Sequence, residues 1–302
     1  MKNKIFFSAV GASALVSFGF VATAQAAELK RISSISDFYE AYDASDNYAS
    51  EANAIIDGLF DYVAPFRGES GLENAAAAGF VPMTKQLKFH GTHWFNPVSY
   101  LSSSERSASV PTGLNFDENG SLVAVFWPEE KYDISEETLN QLKSADPASL
   151  PALYTELKAS TLKPTPEFLQ PFGDVNWHSH ENVLIENVGD RDSTTGTYTD
   201  NVLFKQSLTN ENFIGEVLSA LNSPDETAAP FEFFSDTTVY PPFDTLATPG
   251  FYMTHMWLGL ENPAGLFAGT HMLVSPDAAA EHTTFESGSG HGGEQGGGHS
   301  PG

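Results

Sequence analysis

The stretch Gly173-Asp174-Val175-Asn176-Trp177-His178-Ser179-His180-Glu181-Asn182-Val183-Leu184-Ile185 reads as a strand, because it runs from a turn-forming Gly-Asp pair into an apolar, β-branched segment. Side chains alternate along a strand, so Asn176, His178, His180 and Asn182 are expected on one face. Val175, Trp177, Ser179, Glu181 and Val183 then share the other. Two imidazoles two residues apart can close on one metal ion if further ligands come from elsewhere in the fold.

Four other histidines fall in or beside strand-like runs. In Phe89-His90-Gly91-Thr92-His93-Trp94-Phe95 the two histidines are three apart, so a regular strand would turn them to opposite faces and only one would join His178 and His180. In Phe251-Tyr252-Met253-Thr254-His255-Met256-Trp257-Leu258, His255 shares a face with Met253 and Trp257. Thr254-His255-Met256 recurs as Thr270-His271-Met272, a pairing of imidazole and thioether that would suit copper. The expected metal ligands are therefore His93, His178, His180 and His255, holding one divalent transition metal. Zinc or copper fits an all-imidazole set, and iron or manganese fits if a carboxylate such as Glu186 joins. Three imidazoles leave a position open for chemistry on a bound water, whereas four closed ligands make a structural or transport site. Glu181, on the opposite face, is placed instead to orient a ring nitrogen.

The elements around these strands indicate an α+β chain: an antiparallel sheet or partly closed barrel with a covering N-terminal helical layer. Residues 35–64 carry apolar side chains at helical spacing until Pro65. Ser70 to Glu73 fits a capping box that opens a helix ending at Gly79. Short β-like runs follow from Phe80 to Trp127, with Asn119-Gly120 as a hairpin turn. Ile134 to Lys143, Leu150 to Lys158 and the segment around Phe213, Ile214, Val217, Leu218 and Leu221 read as helices. Gly189 to Gly196 reads as a hairpin loop rather than a calcium loop, because no glutamate stands at its twelfth position.

Composition narrows the function. Met1-Lys2-Asn3-Lys4, an apolar run to Val21 and Ala24-Gln25-Ala26 predict a secretory signal peptide over 1–26 and an exported, periplasmic or extracellular product. A single domain is expected over 27–276, and a disordered Gly/Ser/His-rich tail over 277–302. The chain has no cysteine, which excludes disulfides, thiolate zinc sites and blue copper. Of 14 basic residues Lys2 and Lys4 leave with the leader, so 12 face 39 acids, a formal charge of −27. That charge disfavours nucleic acid and anionic membranes and concentrates cations. No Ser-His-Asp spacing, phosphate-binding glycine loop or basic stripe is present.

Two family resemblances bear on the histidines. Gly173 to Gly189, followed by Pro249-Gly250 and His255, is similar to the two cupin motifs, which implies a β-barrel metal enzyme acting on a small substrate with Glu186 as a ligand. The spacing departs from that pattern at Glu186, Gly189 and His255. Gly79-Phe80-Val81-Pro82-Met83, Gly91-Thr92-His93-Trp94-Phe95-Asn96, Asp117 to Pro128 and His255-Met256-Trp257 with Asn262-Pro263-Ala264-Gly265-Leu266-Phe267 resemble a family of secreted bacterial proteins. That likeness implies export and makes His93 and His255 motif positions; His271 stands where the pattern has asparagine, and no substrate comes with it. A third reading, a module that binds a ligand or protein through its aromatics, requires the imidazoles to lie far apart in the folded chain.

Overall fold

The computed structural model describes residues 30–42, 48–96, 99–100, 107–133, 135–187, 203–221, 231–233 and 245–278. The expected leader, the 189–196 loop and the tail with His282, His291 and His299 lie outside the described residues. The helices are α1 Ile35–Tyr42, α2 Ser50–Val63, α3 Gly71–Ala77, α4 Glu136–Ser144, α5 Leu150–Thr161 and α6 Asn210–Leu221. The strands are β1 Val81–Pro82, β2 Thr92–Phe95, β3 Gly113–Phe116, β4 Leu122–Glu130, β5 His178–Asn187, β6 Leu203–Ser207, β7 Phe231–Phe233 and β8 Thr245–Met256.

One sheet of order β1-β2-β3-β4-β8-β5-β6 results, with β7 added beside β8. It curls into a half-barrel, so the chain is α+β as its element pattern predicts. Its pairings are antiparallel except β7 with β8, which is parallel. The long strand β8 is central: residues 251–256 pair with β4, while residues 245–253 pair with β5.

Local chemistry explains several element ends. Ser34 N–H donates to the Asp37 carboxylate at 3.0 Å and Asp37 N–H returns to Ser34 Oγ at 3.2 Å, a reciprocal cap for α1. Hydrogen bonds from Ser33 and Ser34 hold the Asp37 carboxyl down at about 2. The expected run over 35–64 is two helices, and α2 passes into a 3₁₀ turn at Ala64–Phe66, where Pro65 sits. Ser70 makes no capping bond, so the expected capping box does not form there. Ser135 does cap α4, accepting from Thr138 N–H.

The two faces of the sheet bury different partners. Ala52, Ile56, Leu59 and Val63 of α2 pack with Phe38, Leu114, Phe116, Val125, Trp127 and Met256; the spacing of three and four along α2 makes this one stripe. Met83, Phe95, Tyr100, Phe126, Val183, Phe251 and Met253 form a second cluster. Tyr154 of α5 and Phe213 and Ile214 of α6 close over Leu184 and Ala247. Among the described residues, no helix is long and apolar enough to cross a membrane.

The N-terminal layer is held by its buried stripe, so truncating it weakens the whole fold. Leu59, fully buried, should lose about 2–5 kcal/mol on Leu59→Ala, read as a lower midpoint in urea. A change below about 0.5 kcal/mol would show that α2 is not part of the cooperative core.

Candidate metal centre

Strands β2 and β8 are separated in the sheet by β3 and β4, about 14 Å if the sheet were flat. Their histidines nevertheless touch: His93 Nε2 and His255 Nε2 are 3.0 Å apart. The curl is made possible at Gly113, where a Cβ would meet the Phe126 ring at 2.2 Å. Phe126, opposite Gly113 and opposite His255 in register, therefore lies flat in the space a side chain would fill. Its ring centre is 5.1 Å from that of His93 and 5.8 Å from that of His255. The two imidazoles meet beside it.

His90 joins them. The expected strand over Leu87 to Phe95 begins only at Thr92, because Phe89 and Gly91 have φ of 68° and 75° and Leu87 to Gly91 is a closed turn. The strand rule that sent His90 and His93 to opposite faces does not apply across that turn. Gly91 is required there: a Cβ would stand 2.3 Å from the Phe116 carbonyl oxygen, and the backbone is left-handed besides. Asn115 Nδ2 donates to the His90 carbonyl at 3.0 Å and fixes the turn. His90 Nδ1 donates to the Lys88 carbonyl at 3.0 Å, so in the neutral ring Nε2 carries the lone pair.

His90, His93 and His255 are mutually adjacent, with ring centres 5.9, 5.9 and 5.3 Å apart. His178 lies 5.4 Å from His255 in a nearly parallel plane. His180 follows 5.1 Å from His178 and 4.8 Å from the Phe251 ring. Three of these rings, His90, His93 and His178, directly border His255, which is 1 % exposed. Burial first, and then the proximity of His93, His178, His90 and His180, holds its pKa well below the usual 6.5. The ring at the centre is therefore neutral at physiological pH and offers a lone pair rather than a charge.

A bound ion about 2.0–2.1 Å from each nitrogen would put ring centres about 5.2 Å apart in a tetrahedral set. The observed spacings are close to that value. Among the described residues, however, no three His, Asp or Glu side chains as they stand form a group that could hold a metal ion. His93 and His255 bond nitrogen to nitrogen, with a proton between them where an ion would need about 3.3 Å between ligand atoms.

The other sequence expectations divide. His93 and His255 come together, His178 stands next to them and His180 at the far end of the row, whereas His90 is an addition that the strand alternation concealed. His271 is elsewhere: its Nε2 donates to the Glu261 carbonyl at 2.8 Å and its Nδ1 accepts from Leu273 N–H at 3.2 Å. Its segment is a turn, not a strand, so the repeated Thr-His-Met has no structural counterpart. Glu181 orients no imidazole; its carboxylate is taken by Lys131, Lys158 and Tyr132. Asn182 has φ of 51°, and this break in the extended backbone places Val183, not Asn182, in the apolar cluster beside Phe251 and Met253. The Glu186 side chain lies outside the described residues. Its backbone pairs with Thr245 while His180 pairs with Phe251, so six strand positions, about 20 Å, separate the two.

The chain matches no protein-family model, no curated protein and no solved structure.

Two outcomes follow from this geometry. Gly91→Ala should destabilise the protein by about 3 kcal/mol through the left-handed backbone and the Phe116 contact, and a melting curve equal to wild type would refute the constraint. His271 has its pKa lowered, chiefly by burial, so the unfolded chain binds its proton first. Its contribution is complete above about pH 6.5 and is lost as pH falls toward the folded pKa, at up to about 1.4 kcal/mol per pH unit. His271→Gln should therefore show a shallower fall in melting temperature between pH 7 and pH 5 than wild type; an equal slope would remove His271 from the account.

Proposed function

We propose that this is an exported metal-binding protein whose single zinc or copper ion is held by His90, His93 and His255, with His178 at the remaining side. The observation that carries the reading is the mutual spacing of the three rings, 5.3–5.9 Å, around an imidazole that burial keeps neutral. Support comes from the far nitrogens: His90 Nδ1 is bonded to a carbonyl and His93 Nδ1 stands 3.3 Å from Thr84 Oγ1. Such outer partners fix ring orientation and leave Nε2 of each ring toward the cluster. An all-imidazole set favours zinc or copper over iron or manganese. A carboxylate from Glu186 is not part of the proposal, given the strand distance separating it from His180, and the cupin-like enzyme reading loses its ligand with it. The close approach of the rings also speaks against the module in which histidines lie apart.

When bound, an ion held by three imidazoles lowers the pKa of a coordinated water. The chain itself supplies the rest. Phe126 and Trp257, with ring centres 5.8 and 6.3 Å from that of His255, exclude water around it, and the acidic surface raises the local concentration of cations.

The test is metal content of the mature, untagged protein after zinc or copper titration and desalting, beside a His90→Ala/His93→Ala variant. Tail histidines contribute equally to both, so the difference reports the cluster. About one equivalent should be lost in the variant. A folded wild type that retains no more metal than the variant would sink the proposal.

A further inference from the structure

On the other side of β5 from the imidazoles, three chemically complementary side chains meet. Lys158 of α5, 9 % exposed, and Asn182 of β5, 4 % exposed, are both buried. Lys158 Nζ lies 3.2 Å from Asn182 Oδ1 and is bonded to the Glu181 carboxylate. Tyr154 O–H donates to the same Oδ1 at 2.8 Å. Neighbours in a regular strand point to opposite faces, so Glu181 and Asn182 could not both reach Lys158. The left-handed backbone at Asn182, φ 51°, is what brings them to one side, and non-glycine strain of this kind gathers at functional positions.

The geometry points to a covalent cross-link: an amide bond between Lys158 Nζ and Asn182 Cγ, formed with loss of ammonia. Glu181 accepts a proton from the Lys158 ammonium, and the freed lone pair attacks Asn182 Cγ. That carbon is one bond of about 1.2 Å from Oδ1 and comes within about 3.5 Å of the amine by rotation of the lysine stem. The carbonyl π electrons move to Oδ1, where Tyr154 O–H stabilises the oxyanion. Collapse breaks the Cγ–Nδ2 bond, and Nδ2 leaves with the Nζ proton and the Glu181 proton as ammonium. No oxidant or further reactant is needed. Burial lowers the Lys158 pKa, with Glu181 acting in the opposite sense, which favours the amine.

The second lysine fits the same account. Lys131 also binds Glu181, so one carboxylate faces two cations before the reaction. Afterwards Lys158 is neutral and Lys131 alone balances Glu181. The rings of Tyr132 and Tyr154, 4.8 and 5.4 Å from Lys158 Nζ, shield the amine from water.

The experiment is intact mass and peptide mapping of the mature full-length protein. Expected is a mass below the sequence value by roughly 17 Da, one ammonia per lysine nucleophile consumed, with a branched peptide joining Lys158 to Asn182. Lys158→Met and Glu181→Gln should both return to their sequence masses. A wild-type mass equal to the sequence overturns the proposal, whatever the variants do. So does a loss of ammonia without the Lys158–Asn182 branched peptide, since that would mark a cyclised amide elsewhere. Persistence of the cross-link in Glu181→Gln would overturn the role given to Glu181.

Discussion

The Phe126 ring resting on Gly113 is the contact on which the arrangement of this protein depends. A side chain at position 113 would collide with the ring at 2.2 Å, push it away from the sheet and hold β2 and β8 apart. With glycine there, the four strands from β2 to β8 bend around one aromatic side chain. His93 and His255 come within a hydrogen bond across two intervening strands. The same strands present Leu114, Val125 and Met256 to the N-terminal helices, so the helical layer and the histidine row are two faces of one curved sheet.

Burying imidazoles without charge is the second constraint. A protonated ring in this setting would lack both solvent and a counter-ion, which is why the central ring stays neutral. The carboxylate nearest in sequence, Glu181, does not relieve this, because it is committed to two lysines and a tyrosine on the other side of the strand. A cation is the species such a row of lone pairs is suited to attract.

Strand β5 thus carries two chemistries, separated by its pleat and by one irregular residue. His178 and His180 precede Asn182, whose backbone is left-handed. The register is the same on both sides of Asn182, from Glu181↔Gly250 to Val183↔Thr248, so no residue is inserted; it is the left-handed backbone at Asn182 that breaks the alternation of faces. Leu184 can then pack under Tyr154 and Phe213, tying the C-terminal helices to the sheet.

Much of this was legible in the residues alone. The stripe of α2, the strands carrying His93, His178, His180 and His255, and the helical-layer-over-sheet class all follow from periodicity and turn chemistry, which act over a few residues. Absence of cysteine likewise restricted any metal to imidazole, carboxylate or thioether by composition alone. What local rules could not supply was parity and proximity. Gly91 at positive φ cancelled the alternation that excluded His90, although a glycine directly after His90 was a visible signal of a strand boundary there. The left-handed backbone at Asn182 cancelled the alternation again, and Asn has the side chain most tolerant of that backbone after glycine. Which histidines meet, and that His271 is merely hydrogen-bonded in a turn, was decided by the tertiary structure. Register between β4 and β8 joins residues more than a hundred positions apart, and that between β5 and β8 joins residues 59 to 75 apart; no periodicity within one segment encodes either.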